Sequence, residues 1–266
     1  MDETSPRVVI LCGGEGTRLK EETEFRPKPM VNVGGRPLLW HIMKIYAQQD
    51  FQSFVLALGY KGELIRQYFL NYRKQTSDLT LRFGRDGAED SCSFHEPHDI
   101  EGWEVTLANT GGTTQTGGRI WRCRSYLEDG TFMMTYGDGV ADIDLRALLA
   151  QHRESGRLAT VTGLRPQSRF GVIERDSSGA AVGFREKPKM DSYTSGGFFV
   201  LEPGVFDYLD ADCVFEEEPL QRLAEDGQLG VYTHDGFWKS IDTYREYLEI
   251  NRMWASGERP WVTWDE

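Results

Sequence analysis

Arg18 and Lys28 stand in the two settings of this 266-residue chain that most narrow what a side chain can do. Val8-Val9-Ile10-Leu11-Cys12 is a short apolar run that reads as a buried strand, and Gly13-Gly14-Glu15-Gly16-Thr17-Arg18 follows it directly. Glycine accepts positive φ and, without a Cβ, lets the backbone come close to a ligand. Successive N–H groups of such a turn can cradle phosphate, and Arg18 adds a cation. Lys28 lies between Pro27 and Pro29. Proline fixes its own φ and restricts the residue before it, so this ammonium is presented from a stiff, extended segment. A nucleoside triphosphate suits that combination. The loop alone reads equally well as a tight structural turn: it has neither the Gly-Lys-Ser/Thr ending of a P-loop nor the dinucleotide glycine spacing.

Other residues carry chemistry by position. Thr131 to Tyr136 reads as a buried strand, and Gly137-Asp138-Gly139 ends it. Ligands of open α/β sheets bind beyond the carboxyl ends of the strands, and flanking glycines would leave the Asp138 carboxylate projecting into that crevice. Glu186-Lys187 follows a strand and precedes Pro188; most such charge pairs are solvated surface pairs. Thr116-Gly117-Gly118-Arg119 reads as a loop leading into a helix whose apolar face carries Ile120 and Cys123. His95 and His98 are three apart and invite a metal reading, but a structural zinc needs four ligands and no cysteine pair accompanies them.

Taken in order, these segments resemble a known family. Leu11 to Leu19 with Pro27-Lys28-Pro29-Met30 is similar to the signature of the sugar-1-phosphate nucleotidylyltransferases. Trp40-His41-Ile42-Met43, Thr116 to Arg119, Thr135 to Val140, Glu186 to Lys189, Gly196 to Phe199, Gly236-Phe237-Trp238 with Asp242-Thr243, and the Trp261-x-x-Trp264 ending resemble its cytidylyltransferase branch. The resemblance implies that CTP and α-D-glucose 1-phosphate give CDP-glucose and pyrophosphate. It implies Mg²⁺ on Asp138 and Asp242, Arg18 holding the departing pyrophosphate with the Gly13 to Thr17 loop, and Lys28 stabilising charge at the α-phosphate. Leu11, Cys12, Gly137 and the segment Thr114, Thr116, Gly118 and Arg119 would serve the nucleotide, with the last segment reading the cytosine edge. Tyr136, Gly171, Glu186, Lys187, Ser195 and Gly196 would serve the sugar phosphate, Lys187 on its phosphate and Glu186 on its hydroxyls. Ser195 stands where many relatives place asparagine, and Lys239-Ser240 replaces a more usual Gln-Pro.

Three rivals remain beside this reading. The same chemistry can run on UTP, dTTP or another hexose 1-phosphate. A catalytically silent, nucleotide-sugar-binding regulatory subunit is disfavoured by the joint presence of Arg18, Lys28, Asp138, Lys187 and Asp242. A dinucleotide-dependent oxidoreductase founders on the missing glycine fingerprint.

The elements that must position these residues read as an α/β chain. Apolar spacing predicts a helix from Leu38 to Gln48, a strand from Ser53 to Leu58, a helix from Glu63 to about Lys74 and a strand from Leu79 to Phe83. Arg85 to Gly102 reads as a surface loop. From Leu158 on, strands dominate: Ala159 to Leu164, Gly171 to Arg175, Ala180 to Glu186, Ser195 to Leu201 and Leu229 to Thr233. Helices are expected at Pro203 to Leu209, Glu217 to Glu225 and Thr243 to Trp254. This predicts a Rossmann-like, mainly parallel mixed sheet flanked by helices in one domain, with a nucleotide half over about 7–157 and a strand-rich sugar-phosphate half over about 158–266.

Composition agrees. With 29 glycines and 39% apolar residues the chain has an ordinary globular make-up. Four scattered cysteines form no C-x-x-C pair and read as reduced structural thiols. A net charge of −12 argues against nucleic acid and requires local positive charge, or a metal, for an anionic nucleotide. No apolar run is long enough to span a bilayer, and Met1 to Arg7 lacks the plan of a secretion signal. A cytoplasmic enzyme is expected, and the relatives imply a homo-oligomer.

Overall fold

A computed structural model describes residues 5–85, 89–95, 101–166, 170–189 and 192–264. Its centre is a seven-stranded sheet built from β1 (Val8–Cys12), β2 (Ser53–Leu58), β3 (Glu104–Asn109), β4 (Phe132–Tyr136), β5 (Ala159–Leu164), β6 (Thr194–Leu201) and β7 (Leu229–His234). The spatial order is β7-β5-β6-β4-β1-β2-β3. Strand β6 runs antiparallel to both its neighbours, and all the other pairings are parallel.

Both faces of the sheet are covered, which is why β1 is a continuous apolar run with no polar alternation. Val8, Ile10 and Cys12 point into one core layer, with α1 (Leu38–Ala47) and the aromatic residues Trp261 and Trp264. Val9 and Leu11 point into the other, with Ile120 of α2 (Thr116–Arg122), Phe215 and Leu223. Among the described residues no helix is long and apolar enough to cross a membrane.

Three expectations need correction. The helix predicted from Glu63 to Lys74 is two pieces, Gly62–Leu70 and Tyr72–Thr76. Asn71 breaks it, since its side-chain amide donates to the Gln67 carbonyl at 2.9 Å in competition with the backbone ladder. The strand read at Leu79 to Phe83 forms a separate antiparallel hairpin, Leu79–Arg82 against Ser91–Phe94, and does not extend the main sheet. The stretch read as a loop from Arg85 to Gly102 therefore contains a strand, whose Ser-Cys-Ser-Phe sequence has no apolar run to announce it. His95 ends that hairpin, its Nε2 hydrogen-bonded with the Thr80 hydroxyl at 2.8 Å; His98 lies outside the described residues.

His41, on α1, sits inside the aromatic layer and is fully buried. Its Nε2 meets the Val33 carbonyl at 2.9 Å, and the Trp261 indole N–H donates to its Nδ1 at 3.5 Å, so both ring nitrogens are used by a neutral imidazole. Burial lowers its pKa from 6.5 to about 4. Above pH 6.5 neither the folded nor the unfolded state holds the extra proton. Between pH 6.5 and about 4 only the unfolded chain takes it, so stability falls across that window. The loss is roughly 3 kcal/mol. Urea denaturation at pH 7.5 and 4.5 should register it, and His41→Phe, although less stable at pH 7.5, should show a smaller difference between the two pH values.

Candidate active site

The site forms where β1 and β4 end side by side. Their parallel register sets Leu11 beside Tyr136, and the Gly137 N–H donates to the Leu11 carbonyl at 3.0 Å. A Cβ on Gly137 would stand 2.9 Å from that oxygen and 2.7 Å from the Pro29 ring, so only glycine lets the chain pass so close to the Lys28–Met30 turn. Asp138 is thereby placed against Lys28. The next residues, Gly139–Ala141, pair antiparallel with Trp238–Ser240, and the Ile241 N–H donates to the Asp138 carbonyl at 2.9 Å. That short ladder delivers Asp242 to the same point.

Lys28 joins the two carboxylates. Its Nζ donates to Asp138 Oδ2 at 2.7 Å and to Asp242 Oδ1 at 2.6 Å. Arg18 donates to the same Asp242 oxygen at 3.0 Å, and the Ser240 hydroxyl donates to the other at 3.2 Å. Burial opposes ionisation of Asp242, but the hydrogen bond and charge of Lys28, with the charge of Arg18, outweigh it and hold this carboxyl below its ordinary pKa. From below, Asp242 is fixed by the first turn of α3 (Tyr244–Ser256). Thr243 caps that helix with Glu246 in a capping box, and Glu246 Oε2 also accepts the Asp242 N–H at 2.9 Å.

Two cavities meet at Tyr136 and Asp138. The larger, about 320 Å³, is lined by Leu11 to Gly14, Gly16 to Arg18, Lys28, Thr114, Thr116, Arg119 and Gly137. The smaller, about 250 Å³, is lined by Ser195, Gly196, Glu216 and Trp238 among others. The structure thus gathers most of the sequence-derived nucleotide residues in one cavity and Tyr136, Ser195 and Gly196 in the other. Glu15 is exposed and outside both linings. Gly118 is a packing position: its N–H donates to the Cys213 carbonyl at 3.1 Å, and a Cβ there would stand 2.5 Å from the Ala211 carbonyl. Gly171, Glu186 and Lys187 flank the hairpin Val172–Arg175 and Ala181–Arg185 and line neither cavity. Glu186 reaches back over Gly171, and Lys187 holds a left-handed backbone with φ 45°.

Arg119 lines the larger cavity but spends its donors elsewhere. Thr116 to Arg119 form the first turn of α2, and the guanidinium is buried. It donates to the Gly13 carbonyl at 3.0 Å, the Gly111 carbonyl at 2.8 Å and the Thr110 hydroxyl at 2.8 Å, with longer bonds to Gly112 and Leu58. These oxygens lie at or just past the ends of β1, β2 and β3. Lys239, the unexpected residue before Asp242, turns away to pair with Glu249 at 2.9 Å.

Five residues at the site escaped the sequence reading of roles. Thr243-x-x-Glu246 is a legible capping box. Trp238 and Ser240 stand in segments singled out by the resemblance but carry no role from it, and Glu216 is hidden in the acidic run Glu216-Glu217-Glu218.

The model of the family described as nucleotidyl transferase matches residues 7–257. The chain belongs to the nucleotidyl transferase family. Glucose-1-phosphate cytidylyltransferase of Salmonella typhimurium is 44% identical to it over 97% of this chain and 100% of its own length. A Bacillus subtilis protein named a probable glucose-1-phosphate cytidylyltransferase is 47% identical with the same coverage. HddC from Yersinia pseudotuberculosis shares the fold, with a TM-score of 0.67 at 21% identity over 94% of this chain and 99% of its own.

In this nucleotidyl transferase Arg119→Ala would remove a buried guanidinium with five hydrogen bonds, although the Gly13 and Leu58 carbonyls keep the Tyr60 and Thr110 N–H donors. It should lower stability by roughly 2–4 kcal/mol in denaturant titration, and Arg119→Lys, with one ammonium in place of a planar fork, should recover little of it.

Proposed function

We propose that the enzyme transfers CMP from CTP to α-D-glucose 1-phosphate, releasing CDP-glucose and pyrophosphate. Identity of 44–47% to glucose-1-phosphate cytidylyltransferases along their whole length supports the substrate pair. The single observation that carries the chemistry is the meeting of Asp138, Asp242 and Lys28 at the border of two cavities.

An oxygen of the sugar phosphate forms the new bond to the α-phosphorus of CTP. The bond from that phosphorus to the bridging oxygen breaks, and its electron pair leaves with pyrophosphate. A phosphomonoester has a second pKa of about 6 and is largely dianionic near neutrality, so the chain need not supply a general base. Its task is to bring two anions together and keep them in line. Arg18 and the amides of the Gly13 to Thr17 loop would hold the leaving pyrophosphate, and Lys28 the charge at the α-phosphate. Lys187 and Glu186 would take the sugar phosphate from the hairpin, and the left-handed backbone of Lys187 is the kind of local strain found at functional positions.

Mg²⁺ is the cofactor we assign. Two hard carboxylate oxygens already converge on one cation, the Lys28 ammonium, and so few protein ligands suit an ion that keeps water and phosphate oxygens in its octahedral shell. Bound there, the ion would supply charge neutralisation at the phosphates.

Pyrophosphate release across a matrix of nucleoside triphosphates and sugar 1-phosphates tests this reading. CTP with glucose 1-phosphate should give the highest kcat/KM, and a preference for UTP would overturn the assignment. Asp138→Asn and Asp242→Asn should each reduce turnover by orders of magnitude with the fold intact. Activity within a few-fold of wild type would remove the metal role.

A separate measurement probes how Asp242 is held. Mn²⁺ binding followed by electron paramagnetic resonance should weaken about tenfold in Glu246→Ala, which loses the acceptor for the Asp242 N–H. Glu246→Gln should restore it. Thr243→Ala should cost about 1 kcal/mol of stability while leaving the affinity within about twofold. An equal loss of affinity in Thr243→Ala and Glu246→Ala would reduce Glu246 to an ordinary helix cap.

A further inference from the structure

Glu216 is a carboxylate lining a cleft that, on the reading above, receives two polyanionic substrates. Such a charge is unfavourable beside phosphate, so its position has to be explained by another part of the ligand. The two cavities differ in chemistry. The larger contains Arg18, Lys28 and Arg119. The smaller has no lysine or arginine among its described lining residues; it presents Asp138, Glu216, the Ser195 hydroxyl, the Tyr136 phenol and the Trp238 indole. Carboxylates accept hydrogen bonds and cannot donate them, and an indole offers an apolar face. Acceptors beside an aromatic face fit a neutral ring rich in hydroxyl donors.

Glu216 is also held in place. The Tyr136 hydroxyl donates to Oε1 and the Thr116 hydroxyl to Oε2, while the Thr116 oxygen accepts the Phe215 N–H at 2.9 Å. One donor comes from the end of β4 and the other from the first turn of α2, so two separate elements orient the carboxylate. An ionised carboxylate has about four lone-pair sites, and these two bonds leave acceptor capacity on each oxygen. The Trp238 indole is fixed in turn, its N–H donating to the Gly196 carbonyl at 2.7 Å.

We propose that Glu216 is a sugar-recognition residue, its carboxylate accepting a hydrogen bond from a ring hydroxyl of the sugar 1-phosphate in the smaller cavity. The proposal rests on the nucleotidyl-transfer reading and adds to it a residue that selects the sugar. Because Thr116 lines the nucleotide cavity and Tyr136 lines both, the same carboxylate ties the sugar-binding wall to the nucleotide-binding wall.

The test compares wild type, Glu216→Gln and Glu216→Asp on glucose 1-phosphate and its 2-, 3-, 4- and 6-deoxy analogues at saturating CTP. Wild type should lose about tenfold or more in kcat/KM on one of the analogues, the size expected for a hydrogen bond to a charged group. Both variants should lose a similar factor on glucose 1-phosphate, chiefly through KM, and should process that one analogue within about twofold of wild type. CTP KM should move less than about twofold. A uniform loss on all five sugars, or a lower unfolding midpoint with unchanged sugar KM, would make Glu216 a clamp for its own loop and overturn the proposal. If wild type prefers a different substrate pair, the nucleotide or sugar assignment has failed separately, and the deoxy series of the preferred sugar decides on Glu216.

Discussion

Two aspartates facing one another at close range repel, and the Lys28 ammonium between them makes their meeting tolerable. At an effective dielectric constant near 20, unit charges about 4 Å apart interact by roughly 4 kcal/mol, so a pair of carboxylates without a cation would push the segments that carry them apart. Much of the local fold serves that junction. Pro27 and Pro29 stiffen the approach of Lys28, Gly137 lets β4 turn against the Lys28–Met30 segment, the Gly139–Ala141 ladder brings in the distant Trp238–Ser240 strand, and Glu246 holds the Asp242 backbone from below. The oxygens that meet the Lys28 ammonium are also the kind of donors a divalent cation would take.

Charge is partitioned across the cleft. An acidic chain of net charge −12 concentrates arginine and lysine around the Gly13 to Arg18 loop and leaves the neighbouring cavity to carboxylate, hydroxyl and indole groups. Tyr136 and Asp138 stand on the boundary. Burial, followed by the nearby Glu216 charge, keeps the Tyr136 phenol protonated far above its ordinary range, so it serves as a hydrogen-bond donor there. The border is thus marked by one group that donates and one that accepts.

Much of the frame was legible because burial on both faces writes long apolar runs. Val8–Cys12, Ser53–Leu58, Ala159–Leu164 and the helix at Leu38–Ala47 follow directly from such runs. The three-residue ladder that brings Asp138 and Asp242 together was not, because Gly-Val-Ala and Trp-Lys-Ser have no periodicity and their pairing depends on residues far apart in sequence. Strand Ser91–Phe94 escaped for a related reason, being mostly exposed and polar. Cleft-lining residues in sharp local motifs, such as Gly13, Lys28 and Asp138, could be singled out from their neighbours. Glu216 could not, since its partners Thr116 and Tyr136 lie on other elements and an acidic triplet reads as a solvated face. Arg119 illustrates the opposite failure: arginine is seldom fully buried, so nothing in its neighbourhood suggests that its donors turn inward to backbone oxygens.

That inward turn also bears on how the cleft breathes. Strands β1, β2 and β3 are adjacent in the sheet, and just past their ends the backbone cross-links thin to the Tyr60 N–H on the Gly13 carbonyl and the Thr110 N–H on the Leu58 carbonyl. One guanidinium serves oxygens from all three exits, Gly13, Leu58 and the Thr110 to Gly112 stretch. The glycine turn after β1 therefore cannot lift away alone. To move, it must break bonds to a side chain that also grips the exit of β3, so displacing one rim of the larger cavity strains the hydrogen bonds that hold the other.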